Sequence, residues 1–590
     1  MNELHQVARQ PELASQACFN AGPASLRICL KRGWSCHSFS MSGSRGCRIW
    51  NPARLDTFTS KRACQGRIMS RGSNADGAGN REVELKLEVM PAALPALRQA
   101  ISIMTGRGQG SNTQTLITTY FDTDDLALEA RGALLRVRRQ GGRRIQSVKV
   151  MPAGGSAGIF DRSEWEAEID GDGPDLALVR ETPLKGLVSR KRFRRALKPV
   201  FTTAVQRSTH ALRRNGATVE LALDEATIQA GAATGRFCEL ELELISGHRA
   251  TLYDIARDLI ESQPLHVGVE SKAERGYALL QDSLDHAVKA DTLRLLPDLS
   301  AADGFRTVAH SCMRHFRRNE GLVVAHRTAE ALHQARVALR RLRSALSLFK
   351  AMVADEALEA IKEDLRWLSA PLGKARNHDV FLKRLDRLAP AIGGKDAEAL
   401  IPPLRAAREH AYDEVIATLR AERCRRLMLT LIEWLDLGPW TRPGTDEARA
   451  ILDMPLDAFA ARILDERYRK VKKRGKRLRT LEPEPRHRLR IQAKKLRYAV
   501  EFFGPAVFGG RKAAHRHAAL LDALEEMQDC LGTLNDIATG RALAAGLAQS
   551  RDSAFVAGRL AGQEETREPD LLAAAARAHR RFLRVERFWR

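Results

Sequence analysis

The sequence predicts two successive units: an α+β unit whose antiparallel strands enclose a charged tunnel, then an all-α unit of two related halves. Three observations predict this. Apolar and polar residues alternate with period two in several runs between residues 81 and 285, a helical period of 3.6 takes over from Gly304, and the helical part repeats itself at an offset of 154 residues. At 590 residues the chain exceeds what one hydrophobic core organises, so more than one domain is expected on length alone.

The strand runs are Arg81 to Val89, Leu134 to Gln140, Gln146 to Val150, Ser163 to Ile169, Thr218 to Leu223 and Phe237 to Ile245. Amphipathic helices are expected at Ala93 to Ile103 and Thr251 to Glu261. Residues 286–303 read as a linker between a first domain at 81–285 and a helical domain at 304–590. Residues 1–80 are Ser-, Gly-, Arg- and Cys-rich without periodicity, and are expected to be a disordered extension, with Met69 a natural alternative start. Nine cysteines in no metal or disulfide spacing suit a reducing cytoplasm. No run of about 18 uncharged apolar residues is present, so no membrane-spanning helix is expected.

The net charge of +24 is unevenly placed: +7 over residues 1–80, zero over 81–300 and +17 over 301–590. A basic helical half implies an anionic partner. Along the first strand, Glu82, Glu84 and Lys86 share one face, and Val83, Leu85 and Leu87 the other. The same arrangement recurs in Arg136 and Arg138, in Arg162, Glu164, Glu166 and Glu168, and in Glu239, Glu241 and Glu243. Strands with one apolar face and one of mixed charge can close into a barrel that hides the apolar face under helices and lines a tunnel with the other. Clustered carboxylates repel one another, and a hard divalent cation such as Mg2+ or Mn2+ relieves that repulsion. Opposing arginines and lysines can hold phosphate oxygens.

The motif Glu82-Val83-Glu84-Leu85-Lys86 resembles the E-x-E-x-K opening of CYTH domains, the triphosphate tunnel metalloenzymes. In the family's order follow Tyr120 to Thr123, Leu134 to Arg138, Lys149, Arg162 to Glu166, Arg207, Glu220 to Asp224, Glu239 to Glu243 and Ser271 to Tyr277. The resemblance implies an eight-stranded antiparallel tunnel that hydrolyses inorganic triphosphate, a phosphoanhydride, with Mg2+ or Mn2+. By position it implies catalytic roles for Glu82, Glu84 and Lys86. Metal ligands would be Glu82, Glu84, Glu166, Asp224, Glu239 and Glu241, and phosphate contacts Lys86, Arg136, Arg138, Lys149, Arg207 and Lys272. The family commonly has glycine two residues after the aspartate; Ala226 stands here, which questions a local turn. Thiamine triphosphate or ATP are alternative substrates within the family, but no aromatic cluster in the sequence marks a pocket for an organic group, and Trp165 alternates to the apolar side.

In the helical half, His333, Arg336, Arg340 and Arg343 are spaced 3, 4 and 3, and His487, Arg490, Lys494 and Arg497 repeat that spacing. Each set forms a stripe about 15 Å long on one helix face. Leu372-Gly373 with Arg376, Asn377 and Asp379, and Leu531-Gly532 with Asn535 and Asp536, follow the two stripes. These segments resemble the signature helices of CHAD domains, which implies binding of inorganic polyphosphate and a place in the cytoplasm, at polyphosphate granules. Two stripes related by a pseudo-twofold would make one long positive surface, on which the histidines gain protons as pH falls. The cationic run Arg467 to Arg490 reads as partly a flexible connection. A non-catalytic scaffold for polyphosphate or nucleic acid is the competing reading. Zinc-finger and base-stacking signatures are missing, so no specific nucleic acid is expected.

Overall fold

The computed structural model describes residues 81–590 except 107–111, 151–155, 294, 296–297, 393–400 and 548–550. The expectations for residues 1–80 lie outside the described residues. The alternating run at the start forms β1 (Arg81–Val89), which pairs along one edge with β8 (Ala233–Ser246) and along the other with β5 (Ile159–Glu168). Between them β2 (Asn112–Asp122), β3 (Ala133–Gln140), β4 (Arg143–Val150), β6 (Lys198–Arg214) and β7 (Ala217–Ala230) complete the antiparallel order β5-β4-β3-β2-β6-β7-β8-β1. Because β1 also pairs with β5, the eight strands close. A ninth strand of two residues, β9 (His266–Val267), pairs with Leu87 and Glu88 where β5 has left the edge of β1.

Alternation sets what faces outward. Leu85, Leu87, Leu240 and Leu242 are fully buried, in one apolar cluster with Leu97 and Ile101 of α1 (Leu94–Thr105) and Leu252, Ile255 and Leu259 of α2 (Ala250–Ser262). A separate cluster, with Leu135, Val137 and Val148 on the strands, is covered by Val179, Leu184, Val188 and Phe193 from three short helical pieces within residues 176–196. Trp165 packs against this outer cluster, as its alternation requires. Strands β2 and β6 escape the alternation rule because Thr and Ser stand on both of their faces. Ala226 lies inside β7, opposite Val205 and Phe237, so no turn occurs there.

After β9 the chain enters α3 (Lys272–Leu280). Its N-terminus is a capping box: the Ser271 hydroxyl accepts from the Glu274 amide at 3.2 Å, and the Glu274 carboxylate accepts from the Ser271 amide at 2.8 Å. The next helix, α4 (Ala301–His326), starts inside the stretch that reads as a linker, with Ser300 as its N-cap. That stretch is tied down as well, since Asn319 bonds the Val288 backbone at both its N–H (3.0 Å) and its C=O (2.9 Å), and Leu295 is buried.

The duplication is visible in helix lengths. In the first half α5 (Ala329–Leu348) and α6 (Glu356–Ile392) have 20 and 37 residues. After α7 (Ile401–Arg420), α8 (Glu422–Leu437) and α9 (Leu456–Arg474), the second half repeats them as α10 (Pro483–Phe502) and α11 (Arg511–Leu547), again of 20 and 37 residues. The run Arg467 to Arg490 is no flexible connection: α9 is helical to Arg474, Gly475 packs against the His579 ring, Leu478 is buried and α10 begins at Pro483. The apolar cluster behind β1 is continuous with the core of the helical half, including Phe305, Phe349 and Phe503. Among the described residues no helix is long and apolar enough to cross a membrane.

Candidate active site

The strand register decides which charges meet inside the barrel. Cross-strand partners share a face, so Lys86 stands beside Glu241, Glu84 beside Glu243, Glu82 beside Arg162, Asp224 beside Glu239, and Arg207 beside Asp224. Seven basic residues (Lys86, Arg136, Arg138, Lys149, Arg162, Arg207, Lys272) and seven acidic ones (Glu82, Glu84, Glu164, Glu166, Glu220, Glu241, Glu243) line the cavity. Asp224 and Glu239, buried beside Glu241, raise the acids to nine. The lining itself is therefore formally neutral, and the two buried acids behind it bring the cluster to about −2 when every group is ionised, which a polyanion alone would not favour.

One oxygen each of Asp224, Glu239 and Glu241 lie within 4.8 Å of one another, and all three residues are buried. Cations crowd the same point. Arg207 grips Asp224 with Nε to Oδ1 at 2.7 Å and Nη2 to Oδ2 at 2.6 Å, and also bonds Glu241. The Lys272 ammonium reaches Asp224 at 2.8 Å and Glu241 at 2.9 Å and touches Glu239. Lys86 bonds Glu241 and lies 3.2 Å from Glu84. Burial disfavours ionisation of Glu241, but Lys272, Lys86 and Arg207 outweigh it and hold the carboxyl well below its ordinary range. Glu239 goes the other way, raised by burial and by Glu241 and Asp224 despite two lysines.

A second cluster forms where β5 meets β1. Lys149 bridges Glu82 and Glu164, both at 2.8 Å, and Arg162 reaches Glu84 at 2.7 Å and Glu82 at 3.4 Å. Arg136 lies 3.2 Å from Glu164 and 3.9 Å from Glu166. Arg138 differs from the other cations in making no ion pair among the described residues; its Nε, like that of Arg136, has no hydrogen-bond partner, and burial together with Arg136 and Arg207 pushes its guanidinium down to about 10. Glu84, Glu243 and Glu220 make a cross-strand row of carboxylates. Burial first, then Glu82, Glu84, Glu220 and Glu241, push Glu243 up to about 7.

The predicted tunnel residues line or back one cavity, but of the six expected metal ligands only Asp224, Glu239 and Glu241 cluster; Glu82 and Glu84 lie with Lys149 and Arg162. Glu166 hydrogen-bonds Ser147 at 2.8 Å and faces Arg136; it does not join Asp224, Glu239 and Glu241. Arg162, Glu164, Glu220 and Glu243 were absent from the predicted site, although their alternation was the available signal. Glu168 lies outside, paired with Arg143 at 2.8 Å. An aromatic cluster does exist, contrary to the sequence reading: Tyr120 stacks on Phe201 at 4.5 Å and Phe201 meets Tyr277 edge-on at 5.1 Å. Its three members come from β2, β6 and α3, so no local run displays them.

On the helical half the two stripes converge instead of running end to end. Burial, then Arg490 and Arg340, push the Lys494 ammonium down to about 7, and burial, Arg340 and Arg376 push Arg336 down to about 10. Arg340 of α5 thus stands among cations of both halves. His333 is pushed down to about 4 by burial, Arg376 and Arg340, so it stays neutral over the range in which it was expected to gain a proton. The His487 ring lies 3.3 Å from Asn535. Arg343 and Arg497 stand apart, Arg343 beside Arg366 and Arg497 bonded to Glu501 at 2.7 Å. Asp379 is structural: it accepts from Arg408 at 2.8 Å and Tyr412 at 3.0 Å. Gly373 has a steric reason, because a Cβ there would sit 2.8 Å from the Arg336 guanidinium, whereas Gly532 faces nothing within 4 Å.

Comparison with known proteins assigns both units. The CYTH domain model matches residues 80–277, and the CHAD domain model matches residues 307–545. The chain belongs to the CYTH–CHAD proteins. An uncharacterized protein of Mycobacterium tuberculosis is 26% identical over 468 residues, which span 72% of this chain and 82% of that protein. An inorganic triphosphatase of Haemophilus influenzae is 28% identical over 203 residues, 34% of this CYTH–CHAD chain and 54% of that enzyme. Among solved structures, the CHAD domain of the plant Ricinus communis is 31% identical, covering 50% of this chain and 97% of that domain, with a TM-score of 0.43.

Proposed function

We propose that the CYTH tunnel hydrolyses inorganic triphosphate in a metal-dependent reaction and that the CHAD half binds inorganic polyphosphate. The observation that carries the first part is the buried trio Asp224, Glu239 and Glu241, crowded within 4.8 Å at the wall of a cavity lined by seven acids and seven bases. An all-oxygen set of three carboxylates fits a hard divalent cation such as Mg2+ or Mn2+, with Glu82 and Glu84, which line the same cavity, as further ligands. Bound there, such an ion supplies charge neutralisation of phosphoryl oxygens and acidification of water.

The chain's own residues do the rest. Arg138, which lacks a full set of partners, and Arg136, Lys149, Arg207, Lys272 and Lys86 hold the phosphate oxygens by charge-assisted hydrogen bonds. Each of these cations except Arg138 rests on a carboxylate, so the polyanion exchanges partners within a preformed network. The aromatic cluster favours an inorganic substrate, since Tyr120, Phe201 and Tyr277 are 2–4% exposed and Tyr120, the member that lines the cavity, already stacks one face on Phe201.

Support for the second part is the convergence of Arg336, Arg340, Arg490 and Lys494, whose mutual repulsion an extended polyanion relieves. Substrate choice is tested by phosphate release from triphosphate, long-chain polyphosphate, ATP and thiamine triphosphate at equal phosphate concentration. Triphosphate is expected to have the highest kcat/KM by at least tenfold, and a preference for ATP or thiamine triphosphate would overturn the assignment.

A further inference from the structure

The CYTH and CHAD units share a contact that bears directly on the tunnel. Three arginines of α4 at spacing i, i+3, i+4 lie on one helix face and clasp the chain that carries Lys272 into the cavity. Arg314 bonds Glu274 Oε1 at 2.6 Å, Arg317 bonds Glu88 Oε2 at 2.7 Å and the Val267 carbonyl at 3.0 Å, and Arg318 bonds Glu270 at 2.9 Å. Arg314 lies within the CHAD match and Glu274 within the CYTH match.

We infer that Arg314 of the CHAD half is a positioning residue for Lys272 in the tunnel. Lys272 is the first residue of α3, so its aim depends on how that helix starts. The start is set by Glu274, whose Oε2 takes both the Ser271 amide (2.8 Å) and the Ser271 hydroxyl (2.9 Å). The other oxygen of the same carboxylate takes Arg314, which thereby fixes the rotamer that makes the capping box. Arg314 also donates to the Val269 carbonyl, three residues before Lys272, and to the Ser156 carbonyl at 3.3 Å. Ser156 lies two residues before Gly158, whose carbonyl accepts from the Lys86 amide at 2.8 Å. One guanidinium, 5% exposed, thus holds the backbone beside both tunnel lysines. Its removal leaves two carbonyls and a carboxylate oxygen without their donor, and the cheapest response is movement of the 267–274 segment.

This inference rests on Lys272 contacting triphosphate, and the test separates the two. Steady-state kinetics on triphosphate and its binding by calorimetry are measured for the full chain and for Arg314→Ala, Arg314→Lys, Glu274→Gln, Lys272→Ala and the double variant Arg314→Ala/Lys272→Ala. Hydrogen exchange over residues 266–276 is followed without substrate. Arg314→Ala is expected to raise KM and the triphosphate dissociation constant at least tenfold with kcat within threefold, and to speed exchange in that segment. Arg314→Lys should recover part of the loss, and Arg314→Ala should cost less than threefold more once Lys272 is gone. Glu274→Gln, which keeps the capping acceptor but not the ion pair, should weaken binding in the same direction, and it serves should Arg314→Ala not fold. Unchanged binding and exchange in Arg314→Ala and Glu274→Gln, or a full additional loss in the double variant, would overturn the inference while leaving the tunnel reading intact. A wild-type chain that neither binds nor hydrolyses triphosphate would remove both.

Discussion

Replacing Asp224 with Asn keeps the shape of a fully buried side chain and removes one of the three clustered carboxylates. Asp224 accepts two bonds from Arg207, at 2.7 and 2.6 Å, and forms an ion pair with the Lys272 ammonium at 2.8 Å. Asn retains one acceptor oxygen, so one to two charge-assisted hydrogen bonds are lost, roughly 2–4 kcal/mol, offset in part by relief of repulsion from Glu239 and Glu241. Glu241 still serves both cations, which keeps the net loss near the lower figure, about 2 kcal/mol. The metal response is the more specific readout. A wild-type chain at a hundredfold excess of Mg2+ over its Kd gains about 2.7 kcal/mol, whereas the variant should gain little. Turnover of triphosphate should fall on the order of a hundred- to a thousandfold, the usual scale for removing a preorganised electrostatic group. The assays are denaturant unfolding with and without Mg2+ and orthophosphate release. An Asp224→Asn chain with the wild-type metal-induced gain and turnover within threefold would refute the assignment of the trio as the metal site.

Three further outcomes concern the CHAD half. In full chain carrying Glu84→Gln to silence the tunnel, reversing charge at Arg336 and Arg490 together should weaken polyphosphate binding at least tenfold more than reversing the exposed Arg442 and Arg449, measured at fixed salt; equal losses would mean that only bulk charge matters. Because Lys494 is held down to about 7, it is charged below that pH and neutral above it, and a polyanion that raises its pKa takes up a proton on binding. Polyphosphate affinity should therefore fall between pH 6 and pH 8, and the fall should flatten in Lys494→Arg; a fall of equal size in that variant would contradict the account. Gly373→Ala and Gly532→Ala each gain up to about 1 kcal/mol of helix propensity, but only the first puts a Cβ against Arg336, so only the first should lose polyphosphate affinity at unchanged or higher thermal midpoint.

Legibility in the sequence followed the reach of local pattern. Residues Glu82 to Val89 of β1 and Glu239 to Leu244 of β8 alternate charged and apolar without interruption, and from them the charged lumen could be read. Strands β2 and β6 could not be read in the same way, because a lumen also accepts Thr and Ser, which leave no contrast between faces. The trio Asp224, Glu239 and Glu241 came from two strands through the resemblance, whereas the separation of Glu82, Glu84 and Glu166 from it could not be read, because a strand's period gives the face but not the depth. Convergence of α5 and α10 is a tertiary fact, invisible to a spacing rule that treats each helix alone. The charge count misled in one respect: Arg314, Arg317 and Arg318 belong to the basic excess of the helical half, yet they are neutralised by Glu274, Glu88 and Glu270 of the tunnel unit and are not offered to a polyanion.

The most direct measurement is the rate of orthophosphate release from triphosphate by the full chain and by its Glu84→Gln variant, first in a chelator and then with Mg2+ or Mn2+ restored. The account predicts no release in chelator, rapid release by the wild type once the metal is added, and loss of that response in the variant with its circular dichroism spectrum unchanged. Release that persists in chelator, or a Glu84→Gln chain as active as the wild type, would contradict it.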